Sequence, residues 1–232
     1  MRIWVTRAAP EAEATAERLR AIGHTPLVAP VLQVRPAEGP GPDLTGVGAI
    51  AFTSRNGVRA FAGLTPERGL PVFAVGHSTA AAAAEAGFAV VHSAEGDAEA
   101  LAALIGTRTD LFSGEVLHAG PEEPAGDLVG ALKAAGIACR LHAVYRALPA
   151  SLPLAATAAL GARPVEIDAV LVHSPRAARC LAELTALERA ADSLWLFCIS
   201  QAAAEPLARL NFRKVTVAPF PNEASLLKLV SS

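Results

Sequence analysis

Apolar and polar positions follow two different periods along the chain, and each switch between them marks an element. Ile3, Trp4 and Val5 form a short apolar run that reads as a buried strand. Over residues 10–22, Ala12, Ala16, Leu19 and Ala21 with Ile22 fall near one face, which predicts a helix, and Gly23 supplies its stop. An extended run over 26–34 follows. The same reading predicts strands over 49–53, 72–75 and 89–92, and helices over 57–64, 79–86 (closed by Gly87) and 98–105. Strands separated by helices of this length cannot be joined as hairpins, so they imply parallel sheet built from βαβ units and an α/β class.

Internal repetition carries more information than any single motif. Residues 1–36 match residues 114–149 without a gap, setting Gly23 on Gly136, Val31 on Val144 and Pro36 on Pro149. Residues 52–57 match 172–177, residues 72–88 match 196–212, and residues 90–105 match 215–230, with Leu101 on Leu226 and Leu104 on Leu229. Four blocks recurring in one order imply two similar α/β modules. Residues 36–42 and 148–154 are rich in Pro, the first also in Gly, and read as linkers beside the extended segments 31–34 and 142–145. Two linkers at the module ends would permit a hinge, and a cleft between hinged domains is a favoured ligand site.

Composition removes several classes of function. Hydrophobic residues make up 52% and charged residues 18%, so a disordered chain is excluded. The apolar runs stay shorter than the roughly 18 residues a membrane span needs, and no leader pattern opens the sequence, so a cytoplasmic protein is expected. A net charge of −2 with no basic stripe gives no footprint for nucleic acid. Cys139, Cys180 and Cys198 are an odd set in apolar segments and read as buried reduced thiols. The six histidines lack metal-ligand spacing, so no metal is expected. Neither a dinucleotide nor a P-loop fingerprint occurs after a strand, and Ser54 and Ser174 lack a nucleophile elbow. A nucleotide enzyme and a serine hydrolase are thereby disfavoured.

In parallel sheets ligands bind beyond the carboxyl ends of the strands, where the first N–H groups of the following helices lack intrahelical partners. That rule selects four loops: Thr53-Ser54-Arg55-Asn56-Gly57, Gly76-His77-Ser78-Thr79, His173-Ser174-Pro175-Arg176 and Ser200-Gln201-Ala202. Each also has the ordinary composition of a helix N-cap, but four at equivalent strand ends suggest anion grips. Tyr145, the single tyrosine, lies beside a linker and is a candidate general acid or hydrogen-bond donor, although a lone tyrosine there also suits an interface.

The order Val5-Thr6-Arg7, Phe52-Thr53-Ser54 with Asn56-Gly57-Val58, Val75-Gly76 with Thr79-Ala80, Gly136 followed by Val144-Tyr145, and His173-Ser174-Pro175 resembles the uroporphyrinogen-III synthase family over nearly the whole chain. The resemblance implies two similar Rossmann-like parallel-sheet domains joined by a two-stranded linker. It places residues 1–34 and 149–232 in the first domain, 38–142 in the second, and 35–37 and 143–148 in the linker. It implies a monomeric, cofactor-free lyase that closes hydroxymethylbilane to uroporphyrinogen III, inverting ring D with loss of water, and transient contact with the upstream bilane-forming enzyme. Carried over by motif, Tyr145 assists departure of the hydroxyl. The expected substrate grips are Arg7, Thr53, Ser54, Asn56, Gly57, Gly76, Ser78, Thr79, Ser174, Pro175, Arg176, Ser200, Gln201 and Ala202. The chain departs from the family where His118-Ala119-Gly120 replaces an Arg-Gly, His173 a Thr, and Ser200-Gln201-Ala202-Ala203 a Gly-x-x-Thr loop. The altered fourth loop leaves room for a rival reading, a two-domain module that binds an acidic ligand without converting it.

Overall fold

The computed structural model describes residues 1–231. In chain order the elements are β1 (Arg2–Val5), α1 (Glu11–Ala21), β2 (Thr25–Val28) and β3 (Leu32–Pro36); then β4 (Val47–Phe52), α2 (Arg55–Leu64), β5 (Val72–Ala74), α3 (His77–Glu85), β6 (Val91–Ser93) and α4 (Ala98–Gly106). β7 (Glu115–Pro121), α5 (Leu128–Ala134) and β8 (Cys139–Pro149) follow. The last stretch holds α6 (Leu154–Gly161), β9 (Ala169–Val172), α7 (Pro175–Ala182), α8 (Thr185–Glu188), β10 (Trp195–Cys198), α9 (Gln201–Ala204), β11 (Lys214–Val217) and α10 (Glu223–Val230).

Two compact units result: residues 1–33 with Leu148 onward, and residues 34–147. The first contains a five-stranded sheet in the order β11-β10-β9-β1-β2. The six-stranded sheet of the second runs β3-β8-β7-β4-β5-β6. Strands β1, β2, β9, β10 and β11 pair in parallel, as do β4, β5, β6, β7 and β8. β3 runs against β8: Ala150 N–H donates to the Val31 carbonyl and Ala37 N–H to that of Val144, so one number rises as the other falls.

The sheets explain the repeats. β9, β10 and β11 correspond to β4, β5 and β6, while β1 and β2 correspond to β7 and β8. Each unit therefore takes its first repeated block from one half of the chain and the other three from the opposite half. The chain leaves the first unit within β3 and returns within β8.

β4 and β9 are apolar throughout because both faces are covered. In β9, Val170 and Val172 enter one core and Ala169 and Leu171 the opposite one. In β4, Ile50 and Phe52 face one side and Ala49 and Ala51 the other. Trp4, fully buried, donates its indole N–H to the Ala29 carbonyl at 2.7 Å, which satisfies the one polar atom of that side chain.

Several boundaries differ from the periodicity reading. The extended run over 26–34 is two strands, interrupted at residues 29–31. The equivalent β8 is continuous because it has Ala143 where the first copy has Pro30, which has no N–H to give to a ladder. α2 and α3 begin at Arg55 and His77 rather than at 57 and 79, since Ser54 and Gly76 adopt the extended N-cap conformation and all that follows is helical. The strand expected over 89–92 is Val91–Ser93. Residues 35–37 and 143–148, expected as linker, contribute to β3 and β8, and Val144 and Tyr145 pack into a core of the second unit.

Candidate functional site

Because the parallel strands of each sheet run one way, the loops leaving their carboxyl ends gather on one edge of each unit. In the second unit Ser54 caps α2, its Oγ accepting the Gly57 N–H at 3.1 Å. The same oxygen lies 2.9 Å from the Tyr145 hydroxyl on β8. Ser54 has one hydrogen, and its oxygen already accepts from Gly57. Donation from Ser54 to Tyr145 Oη would leave the phenolic hydrogen to be given elsewhere.

Thr53 Oγ1 is 3.1 Å from His118 Nε2 in the middle of β7. His118 is 1% exposed, and burial pushes its imidazole down to about 4, so it is neutral at pH 7. What draws these groups together is the absence of a side chain at Gly57. A Cβ there would stand 2.7 Å from the Ala119 carbonyl oxygen, so only glycine lets α2 sit this close to β7. Asn56 is half-buried in the same first turn.

One strand along the sheet, Gly76 caps α3 by its backbone alone, its carbonyl accepting from Thr79 and Ala80. Ser78 is exposed on the first turn, whereas Thr79 is buried at 3% exposure. The equivalent position of the first unit is Ala203, also buried. A threonine missing there therefore removes no exposed hydroxyl.

The first unit repeats the geometry with different side chains. Ser174 caps α7 through the Ala177 N–H at 3.1 Å, with backbone angles within a few degrees of Ser54, and Pro175 and Arg176 are half-buried behind it. Ser200 caps the four-residue α9 through the Ala203 N–H at 3.3 Å, and Gln201 and Ala202 are exposed. Arg7 lies 3.4 Å from the Glu223 carboxylate and donates to Thr15 at 3.3 Å, so a carboxylate of the chain itself holds its guanidinium. Neither ring nitrogen of His173 has a partner among the described residues, and burial, with the nearby Arg7 charge second, pushes it down to about 3.

The expected residues thus form two groups. Thr53, Ser54, Asn56, Gly57 and Tyr145 meet at one place in the second unit, with Gly76 and Ser78 at the next strand end. Arg7, Ser174, Pro175 and Arg176, and the Ser200-Gln201-Ala202 turn, belong to the first unit. Sequence reasoning did not select His118 or Glu223, and it named His173 only as part of its loop. For the two histidines the signal was present, since each stands as a departure within a motif; Glu223 gave none.

Two buried neutral histidines predict a specific acid response. The unfolded chain takes up protons near pH 6.5, whereas the folded sites do so only near about 4 and about 3. The stabilisation from keeping both rings neutral is complete above pH 6.5 and is lost as pH falls from there toward those values. His173→Thr, which installs the residue that Thr53 places at the equivalent point, is expected to lose less stability between pH 7.5 and 4.5, by about 2 kcal/mol. Urea midpoints at the two pH values measure this, and an unchanged difference would contradict a buried neutral His173. The thiols of Cys139 and Cys198 are likewise pushed up by burial, to about 11 and about 12, and all three cysteines are free.

The sequence pattern of the family described as uroporphyrinogen-III synthase HemD matches residues 13–228. Two solved structures share the fold across nearly the full length of both chains. Uroporphyrinogen-III synthetase from Helicobacter pylori has 16% identity and a TM-score of 0.63, covering 99% of this chain and 97% of that one. A mutant uroporphyrinogen III synthase from Thermus thermophilus has 22% identity and a TM-score of 0.59, with the same coverage. No protein of curated function matches by sequence.

Proposed function

The chain belongs to the uroporphyrinogen-III synthase family and is an enzyme of that type; on that premise we propose that it closes hydroxymethylbilane to uroporphyrinogen III, inverting ring D and releasing one water. The observation that carries the reading is the 2.9 Å contact between the Tyr145 hydroxyl and Ser54 Oγ at the start of α2. A phenol beside a helix N-terminus suited to a carboxylate supports a reading in which the proton donor stands next to the substrate grip.

The bilane is a polycarboxylate, and the first turns of α2 and α3 offer backbone N–H groups that grip carboxylates without a basic patch. With one such arm held, the terminal hydroxymethyl group is presented to Tyr145. The phenol donates its proton as the C–O bond breaks, water leaves, and the pyrrole nitrogen supplies electrons to give an azafulvene electrophile. Ring D attacks through its substituted carbon, forming a spiro intermediate. The bond that joined ring D to its former neighbour then breaks, generating a second azafulvene, and the free carbon of ring D closes the macrocycle in reversed orientation. The proton expelled as that ring regains aromaticity balances the one Tyr145 gave, so the sum is loss of a single water. The neighbouring Ser54 hydroxyl stabilises the phenolate in the interval.

Little else is demanded of side chains, because the pyrroles supply the electrons and the free bilane closes unaided without inversion. The protein's task is to hold the folded-back pose long enough for inversion to win. A coupled assay that supplies freshly formed hydroxymethylbilane tests this: the chain is expected to yield predominantly the type III isomer. Only type I product, at the rate without protein, would support a binder that leaves its ligand unconverted.

A further inference from the structure

The buried His118 is tied to Thr53 and to nothing else by its ring: Nε2 is 3.1 Å from Thr53 Oγ1, and Nδ1 has no partner among the described residues. The ring reaches Thr53 by folding over Gly120, where a Cβ would lie 2.6 Å from Nε2. His118 and Gly120 are therefore one device, the glycine making room for the imidazole. The equivalent positions in the first unit carry Val5 and, for Thr53, His173, so the imidazole–hydroxyl pair occurs in the second unit alone.

A neutral imidazole has one hydrogen. Placed on Nδ1 it would be a buried N–H with no acceptor, the rarest kind of orphan; placed on Nε2 it meets Thr53 and leaves only a bare lone pair behind. We infer that His118 is a positioning residue whose Nε2–H donates to Thr53 Oγ1 and so turns the Thr53 hydroxyl hydrogen outward, as a committed donor to an anionic group of the ligand. Without that bond the hydroxyl rotates among staggered positions and competes for the imidazole as its own acceptor. The inference deepens the bilane reading and rests on it for the identity of the anion, a substrate carboxylate.

Two measurements test it. Nitrogen-15 spectra of the imidazole in the intact protein at pH 7 are expected to show His118 protonated on Nε2 and bare on Nδ1; the opposite tautomer overturns the inference, and this readout needs no substrate. In the coupled assay, His118→Phe and Thr53→Val are each expected to raise KM about fivefold to tenfold with kcat changed by less than about threefold. The double variant should be no worse than Thr53→Val, because His118 acts through that hydroxyl. His118→Gln, whose side-chain N–H can replace the donor, should recover most of the wild-type KM. Additive losses, or a His118→Phe protein of unchanged melting temperature and unchanged KM, overturn the inference. Should His118→Phe fail to fold, the tautomer and the Gln variant still decide. A wild-type chain that gives no type III product removes the bilane reading while leaving the hydrogen arrangement to the tautomer measurement.

Discussion

Tyr145→Phe is expected to lower kcat by roughly 10²–10³-fold while KM stays within about threefold. The substitution removes one oxygen and nothing else. The ring, 7% exposed, keeps its place in the core with Val144 and Ala119. Ser54 keeps its cap on Gly57, since that bond does not involve the phenol. The stability cost is therefore that of the hydrogen bonding of one hydroxyl, about 1–2 kcal/mol, and a melting curve should show it as a shift of a few degrees. Lost general-acid assistance, by contrast, falls wholly on departure of the hydroxyl. Turnover within threefold of the wild type would take Tyr145 out of the chemistry.

Gly57→Ala is expected to damage both fold and turnover. A Cβ 2.7 Å from the Ala119 carbonyl meets backbone on β7 that no rotamer change can relieve, so α2 must withdraw. Overpacking of this kind costs about 1–3 kcal/mol. The withdrawal stretches two contacts that share the same loop, Ser54 with Tyr145 and Thr53 with His118, and a displacement of about 1 Å at a reacting site costs on the order of 10² in rate. The expected result is a folded protein with a lowered urea midpoint and activity reduced at least 50-fold, about half the cost of that displacement. Ala177→Gly in the first unit is the control, because that position already holds a Cβ. It should lose stability only, by about 1 kcal/mol of helix propensity. Wild-type activity in Gly57→Ala would mean that close approach of α2 to β7 has no part in the site.

The class of fold was open to reading because both its signals are local. Continuous apolar runs such as residues 49–52 come from strands covered on two faces, and the helices between them show their period. The exchange of blocks between units was less open. A constant offset aligns residues 1–36 with 114–149 whichever sheet each copy joins, and only strand pairing, such as β1 against β9 across more than 160 positions, decides it. Pro30 shows how one residue alters a copied element, splitting in one unit a strand that Ala143 leaves whole in the other.

Within the site, the N-caps were legible because a serine three residues before its N–H partner is a local pattern. The partner of Ser54 was not. Tyr145 lies 91 residues away, and nothing in sequence spacing brings a strand hydroxyl to a helix cap. The burial of Thr79 was not legible either: its loop composition matches a grip, but composition does not say how exposed the third helical residue is. His118 looked like a substitution within a motif, and its use became visible only with Thr53 and Gly120 beside it.

The most direct measurement is an amide spectrum of the nitrogen-15-labelled protein titrated with a linear bilane that carries methyl in place of the terminal hydroxymethyl, and so cannot close. Carboxylate capture at α2 predicts saturable shifts concentrated on the amides of Arg55 and Asn56, with those of His77 and Ser78 following, and weaker shifts at Arg55 and Asn56 in Gly57→Ala. Saturation with those amides unmoved, and the perturbation confined to other surfaces, would contradict the account.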